Sequence, residues 1–157
     1  MNTPRPLDEI DIALMEELQT SGRTKRNTLA ESTGLSVPAV SERMRKLEEA
    51  GFIKGYRALV DPRKVGWDVT AFIVTTVDSS KHFGNFLDRV EKTDEVMECH
   101  AITGEGTHLL KVRARNTAEL EKLLAKIQSW VGVVRTMTRV ALSSPKETTR
   151  IPVAKKG

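Results

Sequence analysis

Hydroxyl, carboxylate and guanidinium side chains follow one another along residues 35–52, LSVPAVSERMRKLEEAGF. At 100° per residue, a helix through this segment places Val40, Met44 and Leu47 on one edge and the polar side chains opposite. Arginine and serine bind base edges in the major groove of duplex DNA, and glutamate accepts from cytosine N4. The side chains predicted to face bases are Ser36, Val37, Pro38, Ser41, Glu42 and Arg45.

Basic side chains cluster around the same segment, whereas residues 8–18 carry five acids and no base. This segregation is what a surface facing phosphates requires. Solvated helix faces would give the same charge pattern and are an equally weighted alternative. The predicted phosphate contacts are Arg26, Arg43, Lys46, Lys54 and Arg57.

Short helices separated by glycines are predicted to position these side chains. Residues 7–18 have leucine and isoleucine on one helical face, and a second helix spans about 26–33, with Gly34 at its end. Ser36 is predicted to cap the third helix, and Gly51 ends it. Two helices joined by a short glycine turn, the second with an exposed polar face, form a helix-turn-helix. A plain three-helix unit is the alternative.

The segment FIKGYRALVDP, residues 52–62, is predicted to be extended and to form a strand or wing beside the helix-turn-helix. We assign residues 1–51 to a DNA-binding domain, 52–66 to a linking strand and hinge, 67–143 to a second domain, and 144–157 to a basic tail.

The second domain has the pattern βαββαβ, which is a ferredoxin-like layout. The fold class is therefore α+β: an N-terminal winged helix-turn-helix joined to a C-terminal ferredoxin-like domain. The strand at 69–77 is apolar on both sides, which predicts that both sheet faces are covered. Its own helices cover one face, and a second copy of the chain, giving a homodimer, or the first domain would cover the other.

The spacing of the potential metal-binding and catalytic residues does not favour a metal site or a catalytic site. Glu98, Cys99 and His100 alternate between the two faces of a predicted strand, so they cannot close around one ion, even with His82 or His108 added. No Ser/His/Asp grouping has the local spacing of a nucleophilic site. We predict no metal, no cofactor and no enzymatic activity.

Composition limits the class of protein. The chain has 157 residues, a formal net charge of +4, 39% hydrophobic residues and one cysteine. Its longest apolar run, residues 71–77, is too short to cross a bilayer, and the N-terminus lacks the apolar core of a signal peptide. A cytoplasmic protein without a membrane partner is therefore expected.

The motifs LDEID, the GLS turn and RKLEEAGFIKGY make the chain resemble the leucine-responsive/asparagine-regulator (Lrp/AsnC) family of transcriptional regulators. The resemblance runs from Leu7 to about Leu142. It implies a winged helix-turn-helix, a linking strand and an effector-binding domain that forms dimers, which often assemble into octamers. It also implies small effectors, commonly amino acids, bound near the turn between the second and third strands.

In the family that turn reads close to G-D-Y-D-Y-L-L-K-V, and here it reads GEGTHLLKV. Thr107 is neutral where the family has its second acidic residue, so a charge partner for an amino acid's ammonium group is missing. The effector-binding residues that the resemblance implies are Thr103, Gly104, Glu105, Gly106, Thr107, His108, Thr136 and Thr138.

These observations favour a regulator that binds a pseudo-palindromic operator in double-stranded DNA as a homodimer or higher oligomer and senses a small, amino-acid-like metabolite. The alternative is a metabolite sensor or enzyme whose helical part is only a docking module.

Overall fold

The computed structural model describes residues 6–153 and divides the chain into two compact units. Of the described residues, the first unit comprises 6–59 together with 147–153, and the second comprises Val60–Lys146. No helix among the described residues is long and apolar enough to cross a membrane.

The first unit contains three helices: α1 (Glu9–Thr20), α2 (Arg26–Thr33) and α3 (Val37–Glu49). Asp8 caps α1 in a reciprocal capping box with Asp11, which satisfies backbone donors that have no partner inside the helix. The helices enclose one apolar core, which also explains the periodicity of the sequence. Its buried members are Leu14, Leu18, Leu29, Ala30, Val40 and Met44.

The turn between α2 and α3 forms as predicted. Gly34 adopts the left-handed conformation, with φ of 68°, which a residue without Cβ tolerates best. Ser36 caps α3, because its Oγ accepts from the backbone N–H of Ala39 at 3.3 Å. Pro38 lies in the first turn of α3, where its missing N–H has no intrahelical partner to lose. The helix-turn-helix prediction is therefore confirmed.

The predicted linking strand is not formed within this chain. Residues 53–61 belong to neither a helix nor a strand. A strand needs a neighbour for its ladder of hydrogen bonds, and no strand among residues 6–153 pairs with this segment. Tyr56 instead donates a hydrogen bond from its hydroxyl to Glu48 Oε1 at 2.9 Å and fixes the segment to α3.

The second unit is a four-stranded antiparallel sheet with two helices, and its βαββαβ order confirms the ferredoxin-like prediction. The strands lie side by side in the order β2-β3-β1-β4. The elements are β1 (Val69–Val77), α4 (Phe83–Glu91), β2 (Val96–Ala101), β3 (His108–Ala114), α5 (Thr117–Gln128) and β4 (Val133–Val140).

The two faces of this sheet differ. Ile73 of β1 and Leu110 of β3 are paired in register, are fully buried and pack in a core with Phe86 of α4 and Ile127 of α5. Phe72 points to the opposite face and is 37% exposed. Helices α4 and α5 thus cover one face, and apolar side chains also line the other, as the pattern of β1 predicted.

Residues 150–153 pack along α1 of the first unit. Gln19 Nε2 donates to the carbonyl oxygen of Ile151 at 2.9 Å, and the Ile151 N–H donates to Gln19 Oε1 at 2.8 Å. The Val153 N–H donates to Glu16 Oε1 at 2.9 Å, and Arg150 pairs with the other oxygen of Glu16. The end of the chain, predicted as a separate tail, therefore belongs to the helical unit through residue 153.

Candidate nucleic-acid interface and effector region

The six side chains predicted to face bases lie on α3 or its N-terminal cap. Ser41 is half-buried and the other five are exposed. Pro38, Glu42 and Arg45 are on the side of α3 opposite Val40, Met44 and Leu47, which are 0%, 6% and 3% exposed. Ser36 and Val37 lie at the N-terminal end of the helix, and Ser41 lies on its flank. Packing against α1 and α2 thus fixes the helix by one edge and leaves the other edge available to a groove of DNA.

Arg45 is held by carboxylates on both sides of it along α3. Its Nε and Nη2 donate to the two oxygens of Glu42 at 3.0 and 2.7 Å, and its Nη1 donates to Glu49. Hydrogen bonds from Arg45 hold the pKa of Glu42 down at about 2, and the same contacts raise the pKa of Arg45. Glu42 and Arg45 are therefore both charged at neutral pH.

Arg43 was predicted to contact phosphate, but the structure places it elsewhere. Its Nη1 donates to Asp8 Oδ2 at 2.6 Å and to Asp11 Oδ1 at 2.8 Å, and the Asp11 side chain is fully buried. The hydrogen bonds with Asp8 and then Asp11 raise the pKa of Arg43. These contacts join α3 to the start of α1, so they favour a structural role over the predicted phosphate contact.

The other predicted phosphate contacts are exposed. Arg26 begins α2, and Lys46 lies on α3, where its Nζ is 3.4 Å from Glu42 Oε1. Lys54 and Arg57 lie on the segment that follows α3.

The turn between β2 and β3 folds onto the sheet face that the helices leave uncovered. Gly106 has φ of 84°, and a Cβ there would lie 2.3 Å from Val74 Cγ1, so only glycine fits. Glu105, beside it, pairs with Arg135 of β4 at 3.0 Å. Thr103, Gly104 and Glu105 are exposed at the tip.

Thr107 and His108, predicted to bind an effector, instead make contacts within the sheet unit. Thr107 Oγ1 accepts from the Val77 N–H at 3.0 Å and lies 2.9 Å from His108 Nδ1, so internal contacts engage the hydroxyl. His108 is 3% exposed, its ring packs against Phe83 and Phe86, and burial lowers its pKa. His108 is therefore a core residue rather than a pocket residue.

Thr136 and Thr138 lie away from this turn. They pair in register with Thr75 and Ile73, which face the helices, and Gln128 of α5 donates to Thr136 Oγ1 at 2.8 Å. Gly106 lies on the opposite face of the sheet, against Val74. Within one chain, the predicted effector-binding residues are thus divided between two faces and do not form one pocket.

The sequence did not predict that Glu49 pairs with Arg45 or that Asp8 and Asp11 pair with Arg43. Glu42, Arg45 and Glu49 have the i, i+3 and i, i+4 spacing of helical ion pairs, a signal that predicts the Arg45 contacts. Asp8 and Asp11 are more than 30 positions from Arg43 in sequence, so no local pattern reveals that pairing. Among the described residues, no group of three or more His, Cys, Asp or Glu side chains could hold a metal ion.

Residues 7–54 match the model for winged helix-turn-helix DNA-binding domains, and residues 70–151 match that for the Lrp/AsnC ligand binding domain. The chain belongs to the Lrp/AsnC family of transcriptional regulators. The first match falls on the helical unit with its exposed α3. The second covers the four-stranded sheet with its two helices and continues into the segment that packs on α1.

Individual Lrp/AsnC relatives match over most of their length. The HTH-type transcriptional regulator FL11 of Pyrococcus horikoshii is 36% identical over 148 residues, which cover 94% of this chain and 97% of that protein. The transcriptional regulator NMB0573 of Neisseria meningitidis, solved as an L-Met complex, has a TM-score of 0.89 and 31% identity, covering 93% of this chain and 96% of that one. The feast or famine regulatory protein Rv3291c of M. tuberculosis, complexed with L-methionine, has a TM-score of 0.87 and 34% identity, covering 94% and 99%.

This Lrp/AsnC chain is accordingly a DNA-binding transcriptional regulator with an effector-binding domain. It is not an enzyme, since its homologues are transcriptional regulators. The alternative of an enzyme with a helical docking module is thereby excluded.

Proposed function

We propose that this regulator inserts α3 into the major groove of a pseudo-palindromic operator and that Arg45 reads a base there. The observation that carries the proposal is the exposed polar face of α3, anchored to the core on the opposite edge. Ser36, Val37, Pro38 and Ser41 belong to the same proposed contact surface. Arginine most often reads guanine, because its planar fork matches O6 and N7.

An Arg45→Ala variant tests the base contact. It should weaken binding to a selected operator and relax the preference for one base pair, while binding to random DNA changes much less. Fluorescence anisotropy with both duplexes at one salt concentration measures this. Arg89→Ala, which removes an exposed arginine from α4 of the other unit, is the matched control. Equal losses on both duplexes would mean that Arg45 contacts only phosphate.

Arg26, Lys46, Lys54 and Arg57 are the proposed phosphate contacts, since all four are exposed cations of the helical unit. Each substitution by alanine should weaken binding to all sequences similarly and reduce the slope of log K against log salt by about 0.9. An unchanged slope would remove that residue from the set.

We propose that a second copy of the chain covers the sheet face that α4 and α5 leave bare, which gives a homodimer and a basis for larger assemblies such as an octamer. Phe72, partly exposed on this face, supports the proposal. Phe72→Glu should reduce the mass measured by light scattering after gel filtration. Val131→Glu, at a 62% exposed apolar position outside the strands, is the control. An unchanged mass for Phe72→Glu would contradict this interface.

The proposed effector is a small, amino-acid-like metabolite that contacts the tip of the β2–β3 turn. Two similar solved structures are complexes with L-methionine. Glu105 supplies the carboxylate of this tip, because Thr107 is neutral and internally bonded.

Methionine and leucine should raise the melting temperature, since a ligand that binds only the native state stabilises it. Glu105→Gln should reduce the shift and Glu119→Gln, on α5, should not. No shift with any amino acid would reject this effector class.

A further inference from the structure

The guanidinium of Arg45 has two planar edges that can bind two acceptors at once, one formed by Nε and Nη2 and one by Nη1 and Nη2. Glu42 occupies the first edge with both carboxylate oxygens, at 3.0 and 2.7 Å. A bidentate pair fixes the plane of the guanidinium as well as its position. One contact from Nη1 to Glu49, a turn further along α3, completes the arrangement.

Contacts among the described residues engage three of the five N–H donors of Arg45, which leaves two for a ligand. One is on Nη2 and one on Nη1. Guanine presents O6 and N7 side by side in the major groove and binds two such terminal donors. Glu49 holds Nη1 by a single contact, so a base can displace it without disturbing the bidentate pair with Glu42.

We propose that Glu42 is a positioning residue, which holds Arg45 by its Nε edge and presents the Nη1–Nη2 edge to guanine. This inference rests on the proposed base contact of Arg45, and it gives Glu42 a different task from the cytosine contact that its residue type suggests. Both Glu42 oxygens are already engaged, and Lys46 lies 3.4 Å from one of them.

The ion pair between Glu42 and Arg45 should increase base specificity in two ways. An arginine already ordered in its bound geometry loses less rotamer freedom on binding, so more of the interaction appears as affinity for the matching base. The Glu42 carboxylate also repels phosphate, which makes binding of Arg45 to random backbone less favourable. Glu42 and Arg45 are 48% and 53% exposed, and pairs of that kind contribute little to folding. Replacing Glu42 should therefore change recognition and leave the melting temperature as it is.

A double-mutant cycle on the full chain tests the proposal. The probes are duplex DNA selected by the wild-type protein from a random pool, the same duplex with each G·C pair exchanged in turn, and unselected DNA. Arg45→Ala should lose about 5- to 150-fold discrimination at one guanine. Glu42→Gln should lose much of the same discrimination at the same guanine and bind unselected DNA more tightly. Because Glu42 acts through Arg45, the double variant should discriminate no worse than Arg45→Ala.

Glu49→Gln is the matched control, since it removes a carboxylate that holds Arg45 by a single hydrogen bond, and it should retain the guanine preference. A Glu42→Gln loss at a different base pair, additive with Arg45→Ala, would show that Glu42 reads its own base. Unchanged guanine discrimination in Glu42→Gln would also overturn the positioning role of Glu42, as would an equal loss of that discrimination in Glu49→Gln. Either result would leave the proposed base contact of Arg45 standing. If Arg45→Ala leaves base preference intact, the proposed function fails at Arg45 itself.

Discussion

Replacing Arg43 with alanine should destabilise the helical unit by about 2 to 3 kcal/mol. The change removes the guanidinium that lies 2.8 Å from the fully buried carboxylate of Asp11. Breaking a buried ion pair by deleting one partner costs about 3 to 5 kcal/mol, because a charge stays buried without its compensation. Arg43 and Asp8 are 24% and 43% exposed, so water screens part of the interaction. The expected cost therefore lies at or just below the low end of that range, at about 2 to 3 kcal/mol.

For a unit of this size, that loss corresponds to a fall in melting temperature of roughly 10 to 20 °C. Differential scanning calorimetry of the full chain measures it, with Arg45→Ala as an exposed control on the same helix, expected to remain within about 0.5 kcal/mol of wild type. Arg43→Lys should recover part of the loss, because it restores one cation without the planar fork. An unchanged melting temperature in Arg43→Ala, together with a shallower salt dependence of DNA binding, would refute this reasoning and return Arg43 to the phosphate contacts.

Three further results are expected. Partial burial and the hydrogen bond to Glu48 raise the pKa of Tyr56, the chain's only tyrosine, from 10.0 to about 12. Phenolate absorbance should therefore titrate at higher pH in the folded chain than in the unfolded one, and equal titration in the two states would contradict these contacts. The stabilisation present below pH 10 should be lost as pH rises through 12. Gly106→Ala should lower the free energy of unfolding by about 2 to 4 kcal/mol, because it adds a steric clash to a residue with positive φ. Gly104→Ala, which has positive φ but open space around it, should lower it by only about 1 to 2 kcal/mol. Denaturant melts followed by tryptophan fluorescence measure both values, and equal losses would refute the clash. Glu16→Ala should speed hydrogen exchange at the Val153 amide relative to Glu17→Ala, and equal rates would show that the C-terminal segment does not depend on this contact.

The elements that local chemistry determines could be predicted from the sequence. The predicted bounds of α2, residues 26–33, match the structure, because Gly34 ends the helix through a conformation that other residues avoid. The buried edge of α3 follows from the 3.6-residue period, and β1 was predicted at its observed bounds from its apolar run. The order of strands and helices then left the ferredoxin-like layout as the natural arrangement.

The predictions that differ from the structure concern partners distant in sequence. A helical wheel assigns Arg43 to the flank of α3 but cannot show that the start of α1 lies against it. Residues 53–61 have the composition of a strand, yet strand formation needs a neighbour that this chain does not provide among its described strands. The effector-binding set is divided because β4 presents Thr136 to α5, whereas the β2–β3 turn folds to the other face.

The path of the chain makes the sheet unit an insertion within the helical unit, since the polypeptide leaves the latter after Leu59 and rejoins it at Glu147. Synthesis by the ribosome therefore yields the three helices before the sheet unit and the segment that packs on α1 after it. The DNA-binding unit is complete only when the entire effector-binding unit has been translated. A premature stop within the sheet would release α3 without residues 150–153, which pack along α1 in the full chain.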